Sequence, residues 1–239
     1  MHIMDDIKQI QEKYYTETAS GYDSMHVHEE SDPEHEFAFH FMCAMIEKLD
    51  IKSVLDVGAG TGRVLIGLRK KYPGLRITGI EPVAALREEG YKKGILRNDL
   101  VHGDGKKMGF TDNQYDMVCA FGILHHVDKP EQVIAEMLRV SKYAIFISDS
   151  NNFGQGNRKQ RFIKQMFRSL GLWNAYNYIR TGGKKYQISE GDGLFYSYSV
   201  FNNYEFIRQK CRAVHLLNTR DAGMNPLHTA SHIALLGLK

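Results

Sequence analysis

Three glycines alternate with other residues in one short stretch of this chain. They are Gly58, Gly60 and Gly62, within Val-Leu-Asp-Val-Gly-Ala-Gly-Thr-Gly-Arg at 54–63. The apolar residues before them are typical of a strand covered on both faces, and the pattern over 61–68 predicts a helix. Because glycine has no side chain, a ligand can lie against the backbone of such a turn and its N–H groups. We therefore expect a strand, a tight turn and a helix that together bind a ligand containing adenosine.

Strands and helices alternate after this turn, which favours a doubly wound α/β sheet. The predicted strands are 75–80, 100–102, 115–121 and 143–148, and the predicted helices between them are 82–90 and 130–141. Two late segments, 213–219 and 231–238, would add a closing hairpin. In open sheets of this kind, ligands lie in the crevice at the carboxyl ends of the strands.

The spacing of the glycines distinguishes this turn from one that binds a dinucleotide. A dinucleotide-binding turn usually has the pattern G-x-G-x-x-G, whereas here glycines fall at every second position and Asp56 precedes the first by two residues. The string Asp-Val-Gly-Ala-Gly-Thr-Gly resembles the first motif of class I S-adenosylmethionine-dependent methyltransferases, in particular the small-molecule methyltransferase type 11 group. The motifs that carry this resemblance lie within 53–148. The resemblance implies S-adenosylmethionine as cofactor and a Rossmann-like seven-stranded sheet with one antiparallel strand.

The resemblance also implies roles for acidic residues after the next two strands. Glu81 would accept hydrogen bonds from the ribose hydroxyls, and Asp104 would accept one from the adenine amino group. The alternatives are a solvated glutamate at a helix start and an ordinary Asp-Gly turn. The other cofactor contacts that we predict are Tyr14, Tyr22, Asp56, Gly58, Ala59, Gly60, Gly62, Pro82, Gly105, Phe121 and Gly122. Tyr14 and Tyr22 would belong to a leader that closes over the cofactor.

Two adjacent histidines follow the predicted strand 115–121. The stretch Phe-Gly-Ile-Leu-His-His-Val at 121–127 is similar to the "LHH" stretch of methyltransferases related to those of quinone biosynthesis. If the methyl acceptor is a hydroxyl, His125 or His126 could take its proton, since histidine titrates near neutrality. The alternative is that one ring is packed and the other only lines the pocket. The Asp/Asn-Pro-Pro-Tyr/Phe pattern of many amine- and base-methylating enzymes is missing here, which favours an oxygen or carbon acceptor, and oxygen is our first choice.

We expect a single domain over 1–239, with four parts. These are a helical amino-terminal cap (1–50), a cofactor-binding core (51–150), a substrate lid inserted between the fifth and sixth strands (151–206) and the closing hairpin (207–239). The cap should contain a helix that starts near 31–34 and is apolar nearly all round over 37–49, which predicts a buried helix.

The cap also carries a group of histidines whose spacing does not favour a metal site. They are His26, His28, His35 and His40. His35 and His40 are five residues apart, so they do not share one helix face, and no H-E-x-x-H string occurs. We predict no metal in this protein, and a substrate-facing role for His28 or His35.

The lid segment has the most uneven charge in the chain. No acidic residue occurs over 151–189, while eight basic residues occur there; the whole chain is only +3, so the remainder is −5. Phe162, Ile163, Met166, Phe167 and Leu170 repeat at helical spacing, with Arg161, Lys164 and Arg168 on the opposite side. We expect a helix whose basic face is solvated. Alternatively the 158–185 segment attracts an anionic small-molecule substrate or the surface of an anionic membrane. The aromatic residues that follow suit the walls of a substrate pocket.

Composition excludes several classes of protein. With 43% hydrophobic and 25% charged residues, the chain is typical of a soluble globule, and no apolar run approaches 18 residues. We expect a cytoplasmic protein with three reduced cysteines. The modest net charge disfavours nucleic acid as a partner. Two other functions stay open, a non-catalytic protein that binds an adenosine cofactor and, less favoured, a nicotinamide- or flavin-dependent oxidoreductase.

Overall fold

The computed structural model of the chain describes residues 2–26, 33–220 and 225–239, with side chains from residue 9 onward except at 25, 26 and 33. Its strands are β1 (Ser53–Val57), β2 (Arg76–Ile80), β3 (Leu100–Val101), β4 (Tyr115–Phe121), β5 (Ser141–Ser150), β6 (Tyr186–Ser189), β7 (Gly193–Tyr196), β8 (Ala213–Asn218) and β9 (His232–Leu238). Its α-helices are α1 (His2–Thr18), α2 (Tyr22–His26), α3 (Pro33–Lys48), α4 (Arg63–Lys71), α5 (Ala84–Lys92), α6 (Pro130–Val140), α7 (Arg158–Ser169), α8 (Trp173–Arg180) and α9 (Tyr204–Lys210).

Seven strands form one sheet in the order β3-β2-β1-β4-β5-β9-β8. The strands from β1 to β5 pair in parallel, and β9 runs antiparallel to both of its neighbours. This confirms the predicted seven-stranded sheet with one antiparallel strand. The order of the strands reverses between β1 and β4, and a crevice therefore opens at their carboxyl ends.

The central strands are buried on both faces because helices cover both sides of the sheet. All five residues of β1 are buried. Side chains alternate between the faces along each strand. Leu55 and Val118 belong to the core on the side of α6, while Val54 and Met117 belong to the core that contains Met42 of α3. Apolar burial of this kind is the main favourable contribution to folding.

Helix α3 departs from the expectation of a helix buried on all sides. Ala38, Met42 and Cys43 are fully buried against the sheet, whereas the side chain of Phe37 is 51% exposed. The reason is that the helix lies on one face of the sheet, so only the side that faces the strands is covered.

Helix α7 turns toward the protein part of the basic side that we expected to be solvated. The Lys164 ammonium donates to the backbone oxygen of Asn152 at 2.8 Å, and the Arg168 guanidinium lies over the Phe153 ring at 4.5 Å. The apolar side is turned to solvent instead, with Phe162 69% and Leu170 63% exposed. The expectation of a solvated basic face is therefore wrong for Lys164 and Arg168.

Among the described residues, no helix is both long and apolar enough to cross a bilayer.

Candidate functional site

Two adjoining cavities open at the carboxyl ends of the central strands. We call the larger one, of about 520 Å³, the histidine cavity, because His35, His125, His126 and His232 line it. We call the other one, of about 360 Å³, the Glu81 cavity. Residues that line both are Tyr15, Tyr22, Gly58, Gly60, Gly122, His126 and Tyr196. The two cavities are therefore halves of one crevice.

The glycine turn forms the wall between the end of β1 and the start of α4. Gly58, Gly60 and Gly62 have φ of 70°, 55° and 83°, which is the left-handed region that favours glycine. The N–H groups of Gly58 and Ala59 donate to the backbone oxygen of Ile80, at 2.9 and 3.0 Å. The N–H of Gly60 donates to Glu81 Oε2 at 3.0 Å. The expectation that the turn offers free N–H groups to a ligand is wrong for these residues, because their N–H groups hold the turn against β2.

Gly62 has a packing role. It does not line either cavity, and a Cβ atom added there would overlap Cδ1 of the buried Ile95. Helix α4 begins at Arg63, with Gly62 as its N-cap, two residues later than predicted. Gly62 therefore allows close packing of the turn on Ile95, and its contact with a cofactor stays a prediction.

Glu81 is a buried carboxylate at the end of β2. Its side chain accepts from the N–H groups of Gly60 and Val83, at 3.0 and 2.9 Å. Burial raises the pKa of Glu81 to about 7, against the lowering effect of these two hydrogen bonds. Each carboxylate oxygen has a second lone pair that can accept from a ligand. Asp56 is also buried, and burial raises its pKa to about 7 as well.

The Glu81 cavity collects several residues predicted from the sequence. Pro82, Asp104 and Gly105 line it together with the apolar side chains of Val83 and Leu86. Asp104 Oδ1 accepts from the backbone N–H of Lys106 at 2.9 Å, which holds the loop after β3. A flat apolar group with polar edges fits a pocket of this kind, since apolar walls cover its faces and the carboxylates accept from its edges.

His125 forms a buried ion pair with Asp149. Its Nδ1 lies 2.7 Å from Asp149 Oδ1, and the carboxylate also accepts from the N–H groups of Leu124 and Ser150, each at 2.7 Å. Burial alone would lower the pKa of His125, but the charge and hydrogen bond of Asp149, helped by Asp192, raise it to about 10. His125 is therefore a cation at neutral pH.

His126 is neutral and has a defined tautomer. Its Nδ1 lies 2.7 Å from the carbonyl oxygen of Leu194, which can only accept, so Nδ1 carries the proton. Nε2 is then an acceptor, and the Tyr15 hydroxyl donates to its lone pair at 3.1 Å. Burial and the charge of His125 lower the pKa of His126 to about 4. The ring thus offers the junction of the two cavities a proton acceptor that is unprotonated at neutral pH.

Asp192 completes the surroundings of the two rings. Its Oδ1 lies 3.6 Å from His125 Nε2 and 3.5 Å from His126 Nε2. The ligand-type atoms of these three residues lie within 4.8 Å of one another, a spacing that could hold a metal ion. The positive His125 between two carboxylates explains this cluster by ion pairing. The sequence did not predict Asp192, which reaches the rings from the loop between β6 and β7.

From α1, Tyr15 lines the crevice, whereas the sequence predicted Tyr14. Tyr15 lines both cavities, together with the predicted Tyr22. Tyr14 lies outside both linings, and its hydroxyl donates to the backbone oxygen of Glu190. Tyr14 and Tyr15 point in different directions because they are consecutive on α1. No signal in the sequence favoured Tyr15 over Tyr14.

Of the cap histidines, His35 is the one that the structure brings to the site. It lines the histidine cavity and lies 5.0 Å, between ring centroids, from Phe121. His40 instead lies near Glu36 on the exposed side of α3. His28 and the side chain of His26 lie outside the described residues.

The remaining predicted site residues line the histidine cavity, which is rich in uncharged polar groups. Asp56, Ala59, Phe121 and Gly122 line it. Its serine, threonine, asparagine and glutamine side chains are Thr61, Ser148, Ser150, Asn152, Gln155, Gln187, Ser189 and Ser197, and Glu34, Arg63 and Asp192 add charges of both signs. Ser148 Oγ and the Tyr196 hydroxyl are buried, and neither has a hydrogen-bond partner in the part of the chain that the structure describes. Of the eight basic residues in the lid segment, Arg180 reaches this lining. Buried polar atoms normally find partners, so a polar ligand would satisfy them.

Comparison with known proteins gives a family match over the central part of the chain. Residues 55–144 match the family described as "Methyltransferase domain". The chain is 31% identical to the demethylmenaquinone methyltransferase of Thermotoga maritima over 99 residues, which are 41% of this chain and 42% of that protein. It is 28% identical to the malonyl-[acyl-carrier protein] O-methyltransferase of Xylella fastidiosa over 82 residues, which are 31% of this chain and 28% of that protein. The chain thus spans well under half the length of these relatives.

The fold has solved counterparts that match along the whole chain. The magnesium protoporphyrin IX methyltransferase from Synechocystis PCC 6803, solved with bound SAH, superposes with a TM-score of 0.64 at 14% identity. The superposition covers 98% of this chain and 99% of that one. At this identity the likeness shows the fold alone.

Proposed function

We propose that this chain, whose residues 55–144 form a methyltransferase domain, transfers the methyl group of S-adenosylmethionine to a hydroxyl oxygen of a small glycan-like molecule. One observation carries the proposal. A single crevice joins a half with the buried Glu81 carboxylate to a half with many serine, asparagine and glutamine side chains beside charges of both signs, and the His126 ring borders both halves.

The Glu81 cavity fits the adenosine end of the cofactor. Glu81 is held by Gly60 and Val83 with acceptor sites to spare for two ribose hydroxyls, and Asp104 would accept from the adenine amino group. A Cβ at Gly60 would stand 3.7 Å from the Tyr22 ring, inside the space that both cavities share, so glycine keeps that space open. When bound, S-adenosylmethionine supplies a methyl group activated by the adjacent sulfonium. Asp56, Ala59 and the turn would face its methionine end.

The histidine cavity fits an acceptor with many hydroxyl groups. Its serine, asparagine and glutamine side chains can both donate and accept, which suits sugar hydroxyls. Ser148 Oγ and the Tyr196 hydroxyl have unused hydrogen-bonding capacity there. Arg180 is the basic lid residue of this lining, and Arg63 adds a second cation, but the carboxylates of Glu34, Asp56 and Asp192 oppose them. The cavity therefore favours a polar, neutral substrate over the anionic one that the charge of the lid segment suggested.

His126 would take the proton of the acceptor hydroxyl. Its Nε2 accepts from the Tyr15 hydroxyl, and the acceptor hydroxyl would take the place of Tyr15 there. The proton of that hydroxyl would pass to Nε2 as the bond between oxygen and the methyl group forms and the sulfur–methyl bond breaks, which releases the demethylated cofactor. The His126 cation so formed lies 3.5 Å from Asp192, whose charge stabilises it. His125, already protonated, keeps its place through Asp149 and orients the neighbouring ring. The main requirement on the protein is to position the acceptor for in-line displacement.

The test is to identify the methylated product. Purified protein is incubated with S-adenosylmethionine labelled in its methyl group and with a metabolite extract enriched in glycans, and the labelled product is analysed by mass spectrometry. We expect the label in a methyl ether, which survives mild base, whereas a methyl ester would be hydrolysed. Label on nitrogen, on carbon or in an ester would contradict the choice of a hydroxyl oxygen. If the protein neither binds the demethylated cofactor nor labels any compound, methyl transfer itself is wrong.

A further inference from the structure

Exposed apolar side chains concentrate on helices α7 and α8, far along the chain from the glycine turn. Of the fourteen large apolar side chains that are exposed among the described residues, seven lie between 162 and 179. They are Phe162, Ile163, Met166, Leu170, Leu172, Tyr178 and Ile179. We call this set the α7–α8 apolar face. Clustered exposure of this kind marks a surface that contacts another molecule, since single exposed apolar residues are scattered on ordinary surfaces.

The apolar face is exposed because the other side of α7 is held in place by polar contacts. Lys164 donates to the backbone oxygens of Asn152 and Gln155, at 2.8 and 3.2 Å, and Arg168 lies on the Phe153 ring. The Gln165 amide donates to the backbone oxygen of His228 at 2.6 Å. An Asn157–Gln160 capping box fixes the start of the helix. These contacts select the orientation in which Phe162 and Met166 point outward.

Exposed basic residues flank the apolar face in the sequence, and acidic residues are absent from its segment. Residues 151–189 contain eight lysines and arginines and no aspartate or glutamate. Arg158 and Lys159, one turn before Phe162 and Ile163, are exposed, as are Lys184 and Lys185 after α8. An apolar strip bordered by cations matches a membrane surface, where acyl chains lie beneath anionic headgroups.

The same charges disfavour a second copy of this chain as the occupant. A two-fold contact would place the +8 segment of one copy against the +8 segment of the other. Like charges in such a contact are repulsive and reduce association. A neutral partner protein would use the apolar strip but leave the basic border without a role.

We propose that the α7–α8 apolar face inserts shallowly into the surface of an anionic lipid membrane, with the surrounding basic side chains contacting the headgroups. Phe162, Ile163, Met166 and Ile179 would enter the boundary between headgroups and acyl chains. Arg158, Lys159, Lys184 and Lys185 would stay at the level of the headgroups, since lysine and arginine keep their charge in water while burying their stems. This proposal does not depend on the proposed methyl transfer, because these residues lie outside the linings of both cavities.

The test is co-sedimentation of the whole protein with lipid vesicles. One set contains phosphatidylcholine alone and the other contains about 30 mol % phosphatidylglycerol, a content that gives an anionic surface. We expect binding to the anionic vesicles to be at least about tenfold stronger and to weaken as salt is raised. The double variant Phe162→Ser with Ile179→Ser should reduce this binding by about tenfold or more, since two large apolar side chains no longer enter the lipid.

Matched variants distinguish vesicle binding through the α7–α8 apolar face from nonspecific binding through other exposed apolar or basic residues. Leu96→Ser removes a side chain that is 64% exposed elsewhere and should leave vesicle binding unchanged. Lys184→Gln with Lys185→Gln should weaken binding to anionic vesicles, whereas Lys48→Gln with Lys70→Gln should not. Thermal unfolding of each variant verifies that it is folded. No binding to either vesicle, equal binding by wild type and the Phe162 and Ile179 variant, or a dimer in light scattering that this variant dissociates would overturn the proposal.

Discussion

The two histidines of the site have opposite protonation states at neutral pH because their second partners differ. His125 donates to the Asp149 carboxylate, whose charge raises its pKa to about 10, while His126 donates to a neutral carbonyl oxygen and has its pKa lowered to about 4. The rings lie 3.9 Å apart between centroids, so the charge of one is felt by the other. A cationic ring beside a neutral ring whose Nε2 can only accept is suited to taking up one proton at a fixed place.

Replacing Asp149 should therefore move the pH dependence of methyl transfer through His126. A base is lost when it is protonated, so at saturating cofactor the step in the wild-type rate that His126 causes should lie near pH 4, the pKa of His126. In Asp149→Asn, the pKa of His125 falls because the stronger of its two carboxylate partners is lost, while Asp192 remains. The repulsion that lowers the pKa of His126 then weakens, and this outweighs the smaller lost attraction to Asp149, so the pKa of His126 rises and the acid limb of the rate moves to higher pH. The measurement is the initial rate against pH, with one acceptor and saturating cofactor.

The control for this prediction is His126→Gln. It should lower the rate by about a hundredfold, a typical contribution of a general base, and should leave the affinity for the demethylated cofactor unchanged. If Asp149→Asn keeps its fold and its cofactor affinity but shows the wild-type pH profile, His126 is not the proton acceptor.

The turn between β1 and α4 depends on a glycine for packing as well as for backbone conformation. Gly62→Ala would place a side chain at φ 83° and drive its Cβ into Ile95, which is 4% exposed. Left-handed backbone costs about 1–2 kcal/mol for a residue with a Cβ, and forced overpacking costs about 1–3 kcal/mol. We expect Gly62→Ala to lower the free energy of unfolding by about 2–4 kcal/mol, measured by urea denaturation.

Gly74→Ala is the matched control in the turn before β2. A Cβ added at Gly74 meets no heavy atom of the described residues within 4 Å, so its effect on stability should be within about 0.5 kcal/mol. The double variant Gly62→Ala with Ile95→Ala removes the overlap but keeps the strained backbone. It should not recover wild-type stability, and a full recovery would show that the conformation of Gly62 is unimportant.

The sequence predicted an element best where its hydrophobic pattern is compatible with only one orientation of that element in the fold. The stretch 115–121 is apolar apart from Asp116, which is typical of a buried strand, and β4 has these bounds. In α7 the helical spacing of the apolar residues predicted the helix, but it did not predict which side of the helix faces the protein. Periodicity separates two faces, and the choice between them depends on which partners the rest of the fold supplies. Here those partners are the carbonyl oxygens of Asn152 and Gln155 and the ring of Phe153, which the sequence does not show to be nearby.

The site is assembled from segments far apart in the chain, which explains why only part of it could be predicted. Residues 56–62, 81–82, 104–105 and 121–126 lie at or just after the carboxyl end of a strand, and strand ends in a parallel sheet converge, so these motifs could be found one by one. Tyr15 and Asp192 come from α1 and from the β6–β7 loop, and no local pattern distinguishes them from other exposed polar residues. Their distances to the two histidines result from the docking of these elements on the sheet.

A ligand in the crevice should stabilise the whole molecule, because it would contact the sheet, α1 and the β6–β7 hairpin together. A ligand that binds only the folded state adds about 2.7 kcal/mol at a hundred times its dissociation constant. For a chain of this size each kcal/mol raises the melting temperature by about 2–4 °C. We expect S-adenosylhomocysteine to raise it by about 5–10 °C, measured by calorimetry, and NAD to have no such effect. Glu81→Ala should reduce the shift, since lost charge-assisted hydrogen bonds weaken binding by about 1–3 kcal/mol.

Because Glu81 also holds the glycine turn, each variant is compared with its own melting temperature without ligand. Glu81→Gln keeps one acceptor oxygen and should give an intermediate shift. Glu88→Ala removes an exposed glutamate of α5 and should keep the wild-type shift. A wild-type shift in Glu81→Ala would mean that the ribose hydroxyls bind elsewhere. A shift with NAD in place of S-adenosylhomocysteine would mean that the glycine turn serves a dinucleotide, and the alternate spacing of its glycines would then not be diagnostic.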